Sequence, residues 1–129
     1  MKNEFTLTAA FNTSAEAIYK AWLTTQGHTL MTGSPATIDG REGGDFTAWD
    51  GYIWGSFLEL EEYKRIVQVW RTGEFPEEAK DSRVEVLLEE ANGETKLKLF
   101  HTIIPEGQAE SYKQGWDDFY FKPMKEYFG

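Results

Sequence analysis

Between Gly43 and Pro76 the chain reads Gly43-Gly44-Asp45-Phe46, Asp50-Gly51-Tyr52-Ile53-Trp54-Gly55, Ile66-Val67-Gln68-Val69-Trp70-Arg71 and Phe75-Pro76. Apolar and polar positions alternate along these runs, the period of strands with one face in a core. Gly43-Gly44 and Asp50-Gly51 are tight-turn pairs that join one strand to the next. Strands are expected at 36–39, 44–49, Tyr52 to Leu60, and Arg65 to Thr72. Apolar residues fall on both parities of the third, which predicts a bulge near Phe57.

The same pattern extends on both sides. Downstream, Val84, Val86 and Leu88 share a face in a strand over 83–89, and Asn92-Gly93 turns it into another over 95–104. There Leu97, Leu99, His101 and Ile103 align inward, and Pro105 stops the strand. Upstream, Phe5, Leu7, Ala9 and Phe11 alternate in a first strand over 3–11. Thr13 reads as an N-cap with Glu16 completing a capping box. The helix behind it carries Ala15, Ile18, Tyr19 and Trp22 on one stripe, and 25–33 adds a short second helix.

After Pro105 the period changes. Tyr112, Trp116, Phe119, Tyr120 and Met124 mark one face of a long C-terminal helix. Pro123 kinks or breaks it, and Gly115 leaves room for another backbone to approach. The order predicts an α+β fold: a curved antiparallel sheet of about six or seven strands wrapped around the C-terminal helix. Residues 1–129 read as a single domain.

Composition narrows the function. The 129 residues are 16% aromatic, which suits a packed core or a cavity. Thirteen basic against 22 acidic residues give a net charge of −9 with no basic cluster, which argues against nucleic acid or an anionic membrane as partner. The absence of cysteine removes disulfides, thiolate metal sites and cysteine nucleophiles. No signal peptide or membrane-length apolar run is visible, so a cytoplasmic location is expected. No phosphate-binding loop, dinucleotide fingerprint or zinc motif occurs. No cofactor or metal is expected.

The order of elements resembles the helix-grip fold of the START-like, birch-pollen-allergen superfamily. The ordered set Gly43-Gly44-x-Phe46, Asp50-Gly51-x-Ile53-x-Gly55, Ile66-Val67-x-x-Trp70-Arg71, Phe75-Pro76, Gly93-x-Thr95-x-Leu97, Ile104-Pro105 and Gly115-Trp116-x-x-Phe119-Tyr120-Phe121 is similar to the activator of heat-shock protein 90 ATPase homologue family. The resemblance implies a helix-grip domain with a mostly apolar interior cavity. In eukaryotic members this is the C-terminal half of a two-domain co-chaperone. The chain carries no counterpart of the separate N-terminal, chaperone-gripping domain, which weighs against ATPase activation.

Three functions follow as expectations. In the first, a non-enzymatic domain binds a small hydrophobic molecule between sheet and C-terminal helix. Ile53, Phe57, Trp70, Leu99, Trp116 and Tyr120 supply apolar contact, and Gln68 and His101 act as polar anchors. The plainer alternative for Gln68 and His101 is a pair of hydrogen-bonded core residues. In the second, the outward side chains Trp54, Val67, Val69, Leu87 and Phe100 form a face for a heat-shock chaperone or another partner. In the third, an enzyme uses the cavity with His101 as its sole acid–base candidate. His28, in the segment after the first helix, is expected to be exposed.

Overall fold

In the computed structural model, which describes residues 3–129, seven strands form one antiparallel sheet. They are β1 (Phe5–Phe11), β2 (Thr37–Ile38), β3 (Asp45–Ala48), β4 (Ile53–Glu61), β5 (Arg65–Thr72), β6 (Ser82–Ala91) and β7 (Glu94–Thr102). The spatial order is β1-β7-β6-β5-β4-β3-β2. From β2 onward the sheet is a meander built by local turns. β1 and β2 occupy opposite edges, so the chain between them must cross the whole sheet. Helices α1 (Ala15–Trp22) and α2 (Thr25–Thr32) make that crossing. The C-terminal helical segment packs into the concave face, the α+β helix-grip arrangement expected from the sequence.

The turn chemistry acts as its residue types require. Asn92 and Gly93 have φ of 55° and 79°, the left-handed pair of a tight hairpin. Asp50 and Gly51 are left-handed too, but so is Trp49, at φ 50°. The β3–β4 connection therefore spans four residues between the paired Ala48 and Ile53. β4 holds the expected bulge, a register shift between Phe57 and Glu59. Gly55 sits where β4 and β5 press together. A Cβ there would lie 1.9 Å from the Val69 carbonyl oxygen, so any side chain would force the strands apart.

Several expectations need correction. The cap of α1 is Ser14, not Thr13: its hydroxyl accepts from the Ala17 amide at 3.1 Å. Glu16 forms no capping box and pairs instead with Lys20. The carboxylate that reaches the first turn is Glu90, from β6, which accepts from the Ala15 amide at 2.8 Å. β7 ends at Thr102, and Ile103 turns outward at φ 61°. Gly115 admits no backbone, since a Cβ there would meet only Phe119 Cδ2, at 3.8 Å.

The C-terminal segment is α3 (Ala109–Trp116), a π-helical turn (Asp117–Phe121) and α4 (Lys122–Phe128). Pro123 has no N–H to give the Phe119 carbonyl, and the helix widens here instead of breaking. The Lys122 amide bonds back to Asp117, five residues earlier. Tyr112, Trp116, Tyr120 and Met124 are all buried. Their spacing of four overshoots the 3.6-residue turn of an α-helix. The wide turn absorbs the accumulated drift and keeps all four inward. Phe119, expected on this face, is rotated out and is 54% exposed.

Candidate functional site

Where the ends of β4 and β5 meet α3 and the π turn, a cleft of about 430 Å3 opens to solvent. Ile53 and Trp70 form its sheet side, and Tyr112, Trp116 and Tyr120 its helix side. The turns after β3 and β5 complete the rim with Trp49, Tyr52 and Glu74. Ser111, Gly115 and Phe119 line it from the helix. The volume lies within the usual range for small-molecule sites. The wall is mainly aromatic, with few polar groups. Trp70 packs edge-on to Tyr112 at 5.0 Å and lies 5.7 Å from Trp116.

A layer of buried hydrogen bonds holds this wall from behind. Trp116 Nε1–H donates to His101 Nδ1 at 3.1 Å. That bond leaves the imidazole proton on Nε2, which donates to Ser82 Oγ at 2.8 Å. Ser82 Oγ in turn donates to the Trp70 carbonyl at 2.6 Å. The chain links both sides of the cleft through one imidazole. His28 uses the opposite tautomer. Its Nδ1–H donates to the Trp22 carbonyl at 3.0 Å, so Nε2 accepts from the Tyr120 hydroxyl at 2.7 Å. Burial pushes His28 down to about 4 and His101 to about 3, keeping both neutral near pH 7. Burial also raises Tyr120.

At the rim the polar side chains converge. The Tyr52 hydroxyl donates to the Glu74 carboxylate. Burial first, and that bond second, push Tyr52 up to about 12. The Tyr112 hydroxyl bonds Thr72 Oγ1 at 2.8 Å and Gln108 Oε1 at 2.5 Å. Trp49 is the strained member, an aromatic residue in the left-handed region. Its Nε1 is buried with no hydrogen-bond partner. Its ring meets exposed Phe119 edge-on at 5.3 Å.

Of the residues expected at a ligand site, Ile53, Trp70, Trp116 and Tyr120 line the cleft, whereas Phe57, Gln68, Leu99 and His101 do not. Phe57 and Leu99 are sealed in the core. Gln68 accepts from Trp22 Nε1 at 2.9 Å, and both nitrogens of His101 are engaged within the fold. Trp22 stacks on Trp116 with 6.1 Å between centroids and 14° between planes. The interior under the sheet is thus filled, and the space lies at its end. His28, expected to be exposed, is 2% exposed because α2 folds back under α1 and delivers it to Tyr120. Trp49, Tyr52 and Glu74 were missed because they sit in turns, where periodicity defines no face. The Asp50-Gly51 pair is the available signal for Trp49 and Tyr52, which flank it; Glu74, after β5, has none.

The outward residues do not form an apolar stripe. Val67 is fully buried and so presents nothing to a partner. It lies between Glu59 and Glu85 in register. Val69 is paired with Ser56 and Arg83, Leu87 with Arg65 and Lys98, and Phe100 with Thr6 and Glu85. Trp54, 39% exposed, faces Arg71. Across the strands each of these apolar positions thus has polar or charged neighbours. Arg65 Nε bonds Glu85 at 2.7 Å within this surface.

Among the described residues, no group of three or more His, Asp or Glu side chains is placed to hold a metal, and no helix is long and apolar enough to cross a membrane. A family profile described as "Activator of Hsp90 ATPase homolog 1-like protein" matches residues 12–129. Human "Activator of 90 kDa heat shock protein ATPase homolog 1" is 34% identical over 126 residues, covering 98% of this chain and 37% of the relative. The chain thus spans little more than a third of that protein. An HSP90 activator from Plasmodium falciparum superposes with a TM-score of 0.80 at 28% identity, covering 92% of this chain and 90% of the other. The Aha1 dimer from Colwellia psychrerythraea gives a TM-score of 0.80 at 18% identity, over 97% of this chain and 95% of the other. At that identity the likeness is one of fold.

Proposed function

The chain belongs to the activator of Hsp90 ATPase homolog 1-like family, and on that premise we propose that residues 1–129 act as one non-enzymatic, cytoplasmic domain that binds a small hydrophobic molecule. The observation that carries this reading is the aromatic cleft of about 430 Å3 between the β4–β5 end of the sheet and α3. Its wall is held in place by hydrogen bonds before any ligand arrives, which lowers the ordering cost of binding. His101 lies behind the wall with both nitrogens engaged, and so has no free lone pair for proton transfer.

Nile red, a neutral dye that brightens in apolar surroundings, tests the reading. Its emission is expected to rise with the wild-type protein. Ser111→Trp places an indole in the cleft from an exposed helix position and is expected to abolish the rise at unchanged melting temperature. Equal emission from both proteins contradicts the assignment.

A second reading is favoured by the names of the relatives: the domain binds heat-shock protein 90 and modulates its ATPase. Its test is the ATPase rate of the cognate chaperone with and without this protein. A changed rate together with a measurable complex supports it. No complex and no change rejects it.

A further inference from the structure

We propose that the cleft selects organic cations, molecules with a flat apolar body and one ammonium group, with the body between the rings and the ammonium at Glu74. This rests on the ligand-binding reading above. Seven of the eleven lining residues are aromatic, and the quadrupole of such rings attracts cations over their faces and gives anions nothing comparable. Glu74 is the only charged side chain among the lining residues, and none of them is basic.

Glu74 is also held in place. The Tyr52 hydroxyl donates to its Oε2, and its own amide donates to Thr72 Oγ1 at 3.1 Å. Its carbonyl accepts from Gln108 Nε2 at 2.9 Å. The carboxylate therefore stands at the mouth with Oε2 bound to the rim. A nearby cation could neutralise it, but Arg71 is turned away. Arg71 donates to the Ala79 and Pro76 carbonyls at 2.7 and 2.8 Å and pairs with Asp81. The net charge of −9 adds a field of the same sign, which draws cations in and repels carboxylates and phosphates.

The test uses three probes of one size: naphthylethylammonium, naphthylethanol and naphthylacetate, titrated by calorimetry at low salt. The ammonium is expected to bind about tenfold tighter than the alcohol, and the carboxylate weakest, the order set by cation–π and ion-pair attraction. Added salt is expected to narrow the gap, since the mouth is open to solvent. Glu74→Gln is expected to cut the ammonium-to-alcohol ratio to below about threefold, leaving the ring contribution. Tyr52→Phe, which frees the carboxylate but keeps the ring, is expected to lower the ratio less.

Equal binding of ammonium and alcohol to the wild type overturns the cation proposal and leaves the ligand-binding reading standing. A ratio unchanged by Glu74→Gln also overturns it. If none of the three binds while Nile red still responds, the cation proposal alone falls. If Nile red fails as well, both fall.

Discussion

His101 is a histidine whose chemistry is spent on architecture. It accepts from Trp116 and donates to Ser82, linking the two sides of the cleft. His101→Leu leaves the Trp116 indole and the Ser82 hydroxyl without that partner. A loss of roughly 2–4 kcal/mol is expected in urea unfolding, the cost of buried groups left unpaired. The two histidines also predict how stability responds to acid. Both have folded-state values far below the ordinary 6.5, at about 4 and about 3. The unfolded chain therefore binds protons first. Their contribution is complete above about pH 6.5 and is lost as pH falls toward the folded values. Urea midpoints at falling pH are expected to show this limb, and to show it shallower in His101→Gln. Parity places His101 inward and helical spacing turns Trp116 toward the same space, but neither shows that the two bond. Ser82 reaches His101 from the neighbouring strand β6, where the expected strand over 83–89 stops one residue short of it.

At the scale of elements, the strands and the tight turns at Asp50-Gly51 and Asn92-Gly93 are legible in the sequence, and the conformation of the longer connections is not. β5 was read from Arg65 to Thr72 as observed, because alternation is a local property of a half-buried strand. Phe119 was misplaced because a fixed 3.6 period cannot anticipate the turn that Pro123 widens. The 73–81 connection shows what such a reading misses: its 76–79 portion is clasped by a side chain of the preceding strand. Arg71 bonds the Ala79, Pro76 and Glu77 carbonyls and lies over the Phe75 ring at 5.3 Å. Arg71→Ala removes that clasp while leaving the strand ladders in place. Trypsin is expected to cut after Lys80 on the order of tenfold faster, following the local opening of the loop and not global unfolding. An unchanged cleavage rate would show that the loop is held by something else.

At the scale of the molecule, the sheet and the C-terminal helical segment enclose a core packed with side chains, and the aromatic cleft opens at one end of it. The helix-grip fold was legible from the order of elements and the motif series. The expected cavity between sheet and C-terminal helix is legible in part: Ile53, Trp70, Trp116 and Tyr120 line the cleft, whereas Phe57, Gln68, Leu99 and His101 are buried behind it in the packed interior. Volume left over from packing is the sum of many side-chain choices, and no single strand or helix records it. The cleft instead falls where three turn residues, Trp49, Tyr52 and Glu74, meet the face that the π turn presents.

The five tryptophans make that placement testable in one experiment. Trp49, Trp70 and Trp116 line the cleft, Trp54 lies on the opposite face of the sheet, and Trp22 stands behind Trp116. In a proton–nitrogen NMR titration with naphthylethanol, the neutral probe, the indole signals of Trp49, Trp70 and Trp116 are expected to shift together, with Trp22 moving less and Trp54 unmoved. Shifts centred on Trp54, or no indole shift at saturating probe, would contradict a ligand site in this cleft.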